Sequence, residues 1–306
     1  MPPTHLRCIW LAGACCLSCW CQQCCESLFP GSLTRVFVVA AALQALRDSM
    51  LALDREFLEI CAEHNWYSGT TVLAALLRGR RLLIANLGDC EAVLCRGDAA
   101  EPMSLKHKPD REDEEARILL ANGWVTRERE LFLRQLRQMD LQDPNILRAA
   151  PEHVKWTTIT RLCGELSVSR ALGDRDFKGF TRRRVAQGTR GVPPLEACLF
   201  NWPREHSGEF YDDLVLAEPD FCETEIGPND RFLLLACDGL WDVLTMDEAV
   251  RHASTFFDEG KCSQAVAMQM CELAYRMGTS DNVTVVVVRF HHRSSTASSS
   301  SSSSSN

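Results

Sequence analysis

Two aspartates stand where strand-like runs meet turns. Asp238 follows the continuous apolar run Phe232–Ala236 and precedes Gly239. Asp281 sits in Gly278-Thr279-Ser280-Asp281-Asn282, just ahead of the β-branched stretch Val283–Phe290. A run apolar at every position reads as a strand buried on both faces. A carboxylate at the end of such a strand is costly unless a cation faces it. Hard divalent cations prefer oxygen ligands, so the pair forms a candidate site for Mg²⁺ or Mn²⁺. Both acids also fit the ordinary role of capping turns and helix starts, and at this level the two readings stay open.

The elements around these acids follow from periodicity. Val36–Val39 reads as a short β-like run and Ala40–Glu63 as a long helix, with Leu43, Leu46, Met50, Leu53, Phe57 and Ile60 on one face. Thr70–Leu77, Arg81–Leu87 and Glu91–Cys95 read as an antiparallel meander. Asp110 opens a helix with acids in its first turns, closed by Asn122-Gly123, with Asp113 and Arg117 spaced i,i+4. Residues 127–157 read as a charged, helix-prone insertion. Gly164–Leu172 alternates like a strand, and 177–212 is a long irregular stretch. Strands are expected at 213–217 and 220–226. Thr245 to Glu248 spells a capping box for a helix over 246–257, and a second helix spans 263–277.

The chain has 306 residues, of which 46% are hydrophobic and 24% charged, a globular composition. A net charge of −8 and a pI near 5.6 argue against a nucleic-acid partner. No run of about 20 apolar residues is present, so no spanning helix is expected. Seven of the 16 cysteines fall within the first 25 residues, and the rest are scattered singly. Scattered apolar cysteines suit a reduced compartment, cytoplasmic or nuclear. In the leader, Cys16 to Cys19 and Cys21 to Cys24 form two CxxC pairs separated by Trp20 alone, too close to fold round one zinc ion. Adjacent cysteines beside apolar residues also suit acylation and a membrane tether, and the apolar stretch Ile9–Leu17 resembles a signal segment. Composition divides the chain into a disordered or wrongly joined Cys-rich leader over 1–34, a domain over 35–292, and a serine-rich disordered tail over 293–306.

Seven motifs then stand in one order: SGTT at 68–71, ANLGDCEAV at 85–93, HKPDREDE at 107–114, LSVSRALGDRDFK at 166–178, LAEPDF at 216–221, ACDGLWDVL at 236–244 and GTSDNVTVVVV at 278–288. Together they resemble the metal-dependent, type-2C serine/threonine protein phosphatases over residues 40–290. The resemblance implies an α+β fold, a four-layer αββα sandwich in which two antiparallel sheets lie face to face with helices outside. It implies a monomer that hydrolyses phosphoserine or phosphothreonine in phosphoproteins, using water activated between two Mn²⁺ or Mg²⁺ ions. By motif position Asp238 and Asp281 would be ligands of one metal and Thr71 a supporting residue. Arg182, Arg183 and Arg184 occupy the place of the family's mobile flap, where they would meet an acidic phosphopeptide.

Two departures bear on chemistry. Val36–Val39 runs directly into Ala40-Ala41-Ala42, so the family's Asp-Gly-His-Gly-Gly block is missing, and with it the bridging aspartate and the general-acid histidine. The aspartate that the family places before His-Lys-Pro is Lys106, which puts a positive charge where a cation would sit. Three readings compete: an impaired phosphatase, a pseudophosphatase acting as a phosphoprotein-binding or regulatory module, and a mis-joined fragment of an active phosphatase.

Overall fold

The computed structural model describes residues 7–12, 35–131, 142–145, 148, 156–179, 200–207 and 209–292. Two four-stranded sheets organise them. The outer sheet has the order β1-β3-β4-β10, with β1 Arg7–Ala12, β3 Val72–Arg78, β4 Arg81–Leu87 and β10 Asp220–Glu225. The inner sheet has the order β12-β11-β5-β6, with β12 Val285–Arg289, β11 Asp230–Ala236, β5 Glu91–Arg96 and β6 Ala99–Pro102. All these pairings are antiparallel. Two short ribbons complete the strands: β2 Gly69–Thr70 with β9 Leu172–Gly173, and β7 Val125–Leu131 with β8 Trp156–Leu162.

The layering follows from side-chain alternation along each strand. Leu73 and Ala75 of β3, Ile84 of β4, Leu94 of β5, and Leu233 and Leu235 of β11 meet in one buried cluster between the sheets. The opposite face of the outer sheet, Val72, Ala74, Ala85 and Leu87, packs on α1, Arg35–His64. The opposite face of the inner sheet, Val93, Phe232, Leu234 and Val287, packs on α4, Met246–Asp258, and α5, Ser263–Arg276. This is the expected four-layer α+β sandwich. A satellite core under α2, Glu112–Leu120, gathers Ile118, Leu162, Phe177, Phe200 and Leu214. The two apolar-run strands flanking the aspartates, and the Thr245–Glu248 capping box, form as the sequence indicates.

Several elements differ from the sequence reading. Val36–Val39 is not a strand but the opening of α1. No glycine or proline separates it from the alanine-rich stretch that follows, so the helix runs back to Arg35. The buried stripe of α1 is also rotated: Met50, Asp54, Leu58 and Cys61 face inward, while Leu53 and Ile60 are exposed. Asp54 is tolerated there because Lys178 Nζ lies 2.6 Å from its Oδ1 and the Gly173 amide donates to it. Within the leader, Arg7–Ala12 forms the edge strand β1, in register with Ala12 opposite Val72 and Arg7 opposite Leu77. Such long-range pairing leaves no local sequence signal. Residues 164–171 form turns and isolated bridges and only Leu172 belongs to a strand, the short β9, while 213–217 form bends and one isolated bridge. The insertion expected over 127–157 opens instead as strand β7; most of the remainder, like Arg182, Arg183, Arg184 and the serine tail, lies outside the described residues. Among the described residues no helix is long and apolar enough to cross a membrane.

Candidate functional site

Antiparallel pairing brings three chain segments to one end of the inner sheet. Ala236, the last residue of β11, lies opposite Val285 on one side and Glu91 on the other. The residues just beyond β11 and just before β12 and β5 therefore converge. Asp238 follows β11 as the first residue of α3, Asp238–Trp241, and Asp242 caps that helix. Asp281 precedes β12, and Asp89 precedes β5. The structure thus brings the segments bearing Asp238 and Asp281 to the same end of the sheet, and adds Asp89, Asp242 and Glu91, which the sequence reading did not name. The i,i+4 spacing of Asp238 and Asp242, and the position of Asp89 beside a paired strand, were available signals.

The turns that carry these acids are clasped by a thiol. Cys237 donates from its backbone N–H to Thr284 O at 3.2 Å, and its Sγ accepts from the Thr284 amide and donates to Asn282 O, both at 3.1 Å. Burial pushes the Cys237 thiol up, which keeps it protonated for that role. Asn282 N in turn donates to Asp281 Oδ1 at 2.7 Å. On the other side, Gly88 holds a φ of +114°, and a side chain there would collide with the Thr71 methyl group. Thr71 Oγ1 lies 3.4 Å from Cys90 Sγ. Thr71 therefore supports the turn bearing Asp89 rather than Asp238 or Asp281.

The loop Lys106-His107-Lys108 runs alongside. The His107 backbone N–H donates to Gly88 O at 2.9 Å, and its ring Nδ1 accepts from the Gly88 amide at 3.0 Å. Its Nε2 lies 3.1 Å from Asp220 Oδ2, off the angle of a good hydrogen bond. Burial and the nearby Arg170 push the imidazole down to about 4, so it is neutral at physiological pH. The two flanking lysines face the acids: Lys108 Nζ is 2.5 Å from Asp89 Oδ2, and Lys106 Nζ is 2.8 Å from Glu91 Oε1.

Asp238 registers this crowding. Burial pushes its carboxyl up to about 6, Asp89, Asp242 and Asp281 add to the rise, and Lys108 opposes it. Asp242 is also raised, by burial and by Asp89 and Asp281, against the pull of Lys106 and Lys108. A carboxylate whose folded pKa exceeds its unfolded one destabilises the fold at neutral pH, and that cost fades as pH falls from about 6 towards 3.8. Asp238→Asn is therefore expected to stabilise the chelator-treated protein at pH 7 by about 1–2 kcal/mol and to flatten this limb of the pH profile. Urea melts in EDTA across pH 4–8 check it, and a variant less stable than the parent at pH 7 refutes it.

The profile of the family described as "Protein phosphatase 2C" matches residues 29–140 and 147–283. The chain belongs to the protein phosphatase 2C family. It is similar to "Probable protein phosphatase 2C 59" of Arabidopsis thaliana, 31% identical over 264 residues that cover 86% of this chain and 63% of that protein. It is similar also to "Probable protein phosphatase 2C 45" of rice, Oryza sativa subsp. japonica, 31% identical, covering 86% of this chain and 70% of that one. The chain thus spans roughly three fifths of the length of the first of these phosphatase 2C relatives. Among solved structures, serine-threonine phosphatase 2C from Toxoplasma gondii matches with a TM-score of 0.54 at 22% identity, covering 85% of this chain and 72% of that one, and supports the fold.

Protein phosphatase 2C enzymes are metal-dependent, but the described residues do not fit a pair of divalent ions. Among the described residues no three His, Cys, Asp or Glu side chains converge as a metal site needs. Asp89 and Glu91 already carry ammonium partners.

Proposed function

We propose that this chain is a type-2C protein serine/threonine phosphatase domain of impaired catalytic capacity, serving as a regulatory or binding module in phosphoprotein signalling. Family membership supports the function class. The impairment rests on one observation: at the end of the inner sheet Asp89 and Glu91 are met by lysines, and among the described residues the acids there do not form a complete ligand set. Water activation between two metals needs several shared carboxylates to offset four positive charges. Here Asp238 and Asp281 are the only carboxylates that sequence motifs assign to that work.

The same electrostatics disfavours phosphate capture. Asp89, Glu91, Asp238, Asp242 and Asp281 face Lys106 and Lys108, leaving three negative charges uncompensated when all are ionised. A phosphate dianion approaching that surface is repelled. Phosphoprotein recognition by this chain therefore falls to other surfaces. The alternative of a mis-joined fragment predicts that Asp238 and Asp281 would serve a fully active site once joined to the missing block.

The test is Mn²⁺-dependent hydrolysis of a phosphothreonine peptide, with Asp238→Asn as the background. Turnover in millimolar Mn²⁺ is expected to stay within about tenfold of that variant, because a second metal is the main source of nucleophile activation. Robust turnover that the substitution abolishes would sink this reading.

A further inference from the structure

The acidic end of the inner sheet already contains cations, and their placement bears on what else it can hold. Lys106, His107 and Lys108 lie in an extended loop whose side chains alternate. His107 points inward, fully buried, and is fastened to Gly88 through both its backbone and its ring. That attachment sends the side chains on either side of it outward together, towards Glu91 and Asp89.

These ion pairs are not loose surface contacts. The side chains of Glu91 and Asp89 are 14% and 6% exposed, and those of the two lysines 29% and 33%. Withdrawing a partner from a mostly buried pair leaves an uncompensated charge in a poorly solvated place, which is strongly unfavourable. Burial alone would pull the Lys108 ammonium down, yet Asp89, Asp238 and Asp242 hold it above its ordinary range, so it stays charged. A divalent ion that used Asp89 or Glu91 would have to displace an ammonium group first. One that used Asp238, Asp242 and Asp281 would sit beside two positive charges.

We propose that Lys106 and Lys108 are resident counter-cations of this cluster and keep a pair of divalent ions out of it, Lys106 by opposing any divalent ion that approaches. The inference deepens the impaired-phosphatase reading and rests on it for the location of the site. Its test needs no turnover. Mn²⁺ is titrated into the full chain, and free Mn²⁺ is counted by electron paramagnetic resonance.

The parent is expected to bind at most one Mn²⁺. Lys106→Gln is expected to bind Mn²⁺ about tenfold more tightly than the parent, since it removes a positive charge from the cluster. Lys106→Arg, which keeps the charge, should match the parent, and the Glu91→Gln/Lys106→Gln pair should fall between parent and single variant. Two tightly bound Mn²⁺ per parent chain, or a Lys106→Gln affinity equal to the parent's, overturns the proposal. Should Lys106→Gln lose its native circular dichroism, Glu91→Gln carries the test in the opposite sense. Freeing Lys106 should weaken Mn²⁺ binding about tenfold, and unchanged affinity refutes the idea. High parent turnover in the peptide assay would defeat the impaired reading while leaving these affinity differences to stand or fall separately.

Discussion

Gly239→Ala is expected to lower stability by about 2–3 kcal/mol, and with it to separate the two aspartates that identify the site. An added methyl group at Gly239 would lie 2.3 Å from Asn282 O and 3.0 Å from Asn282 C, and both contacts are backbone. Neither side yields easily. Cys237, two residues earlier, is bonded to Thr284 through its amide and to Asn282 and Thr284 through its thiol. The β11–β12 register is fixed up to Ala236 opposite Val285. Relief must come from tilting α3 or from lifting the turn that carries Asp281. Either movement relieves the burial, and with it the crowding by neighbouring acids, that raises Asp238. The variant should therefore show a thermal midpoint lower by several degrees, together with a weaker pH dependence between pH 4 and 6. Crowding strain without site movement would lower the midpoint and leave the pH dependence intact. A midpoint equal to the parent's would contradict the packing argument altogether.

The same contact explains what a sequence can and cannot disclose here. Phe232–Ala236 is apolar at every position because both faces of β11 are covered, by the outer sheet on one side and by α4 and α5 on the other. That condition is local and legible. The capping box at Thr245 and Glu248 is equally local, with the Thr245 amide and the Glu248 amide each met by the other side chain. Lys106 meeting Glu91 is not local. It depends on His107 docking against Gly88, a contact across 19 residues that no periodicity records. The i,i+4 pair read between Asp113 and Arg117 fails for a related reason. Arg117 turns inward to Glu114 and to the carbonyls of Leu214 and Ser169, while Asp113 is taken by Arg111. Buried acceptors outbid a surface partner whose worth is a few tenths of a kcal/mol.

Glu114 makes that difference measurable. Its side chain is 1% exposed, and its two oxygens are divided between two arginines: Oε1 accepts from Arg170 Nε and Nη2 at 3.0 and 2.7 Å, and Oε2 from Arg117 Nε and Nη2 at 3.1 and 2.5 Å. Burial alone would raise this carboxyl, yet the Arg117 and Arg170 hydrogen bonds hold it down at about 2. Asp113 is also held at about 2, by Arg111, but its side chain is 60% exposed. Equal shifts do not mean equal stabilisation, because solvent screens the exposed pair. Glu114→Gln is expected to cost about 3–5 kcal/mol, since it leaves two guanidinium groups facing each other in a desolvated pocket. Asp113→Asn is expected to cost no more than about 0.5 kcal/mol. The sign in pH follows from the depressed pKa of Glu114. Its stabilisation is present above pH 4.5 and is lost as pH falls towards 2, so the parent should show an acid-sensitive limb that Glu114→Gln lacks. The loss should also reach the candidate site. Arg170 continues from Glu114 to Asp220, which stands against His107, and His107 holds Gly88 beside Asp89. Urea melts of both variants at pH 7 and pH 3 decide the matter. Equal costs at pH 7 would mean that the burial of Glu114 contributes nothing beyond what a surface ion pair supplies.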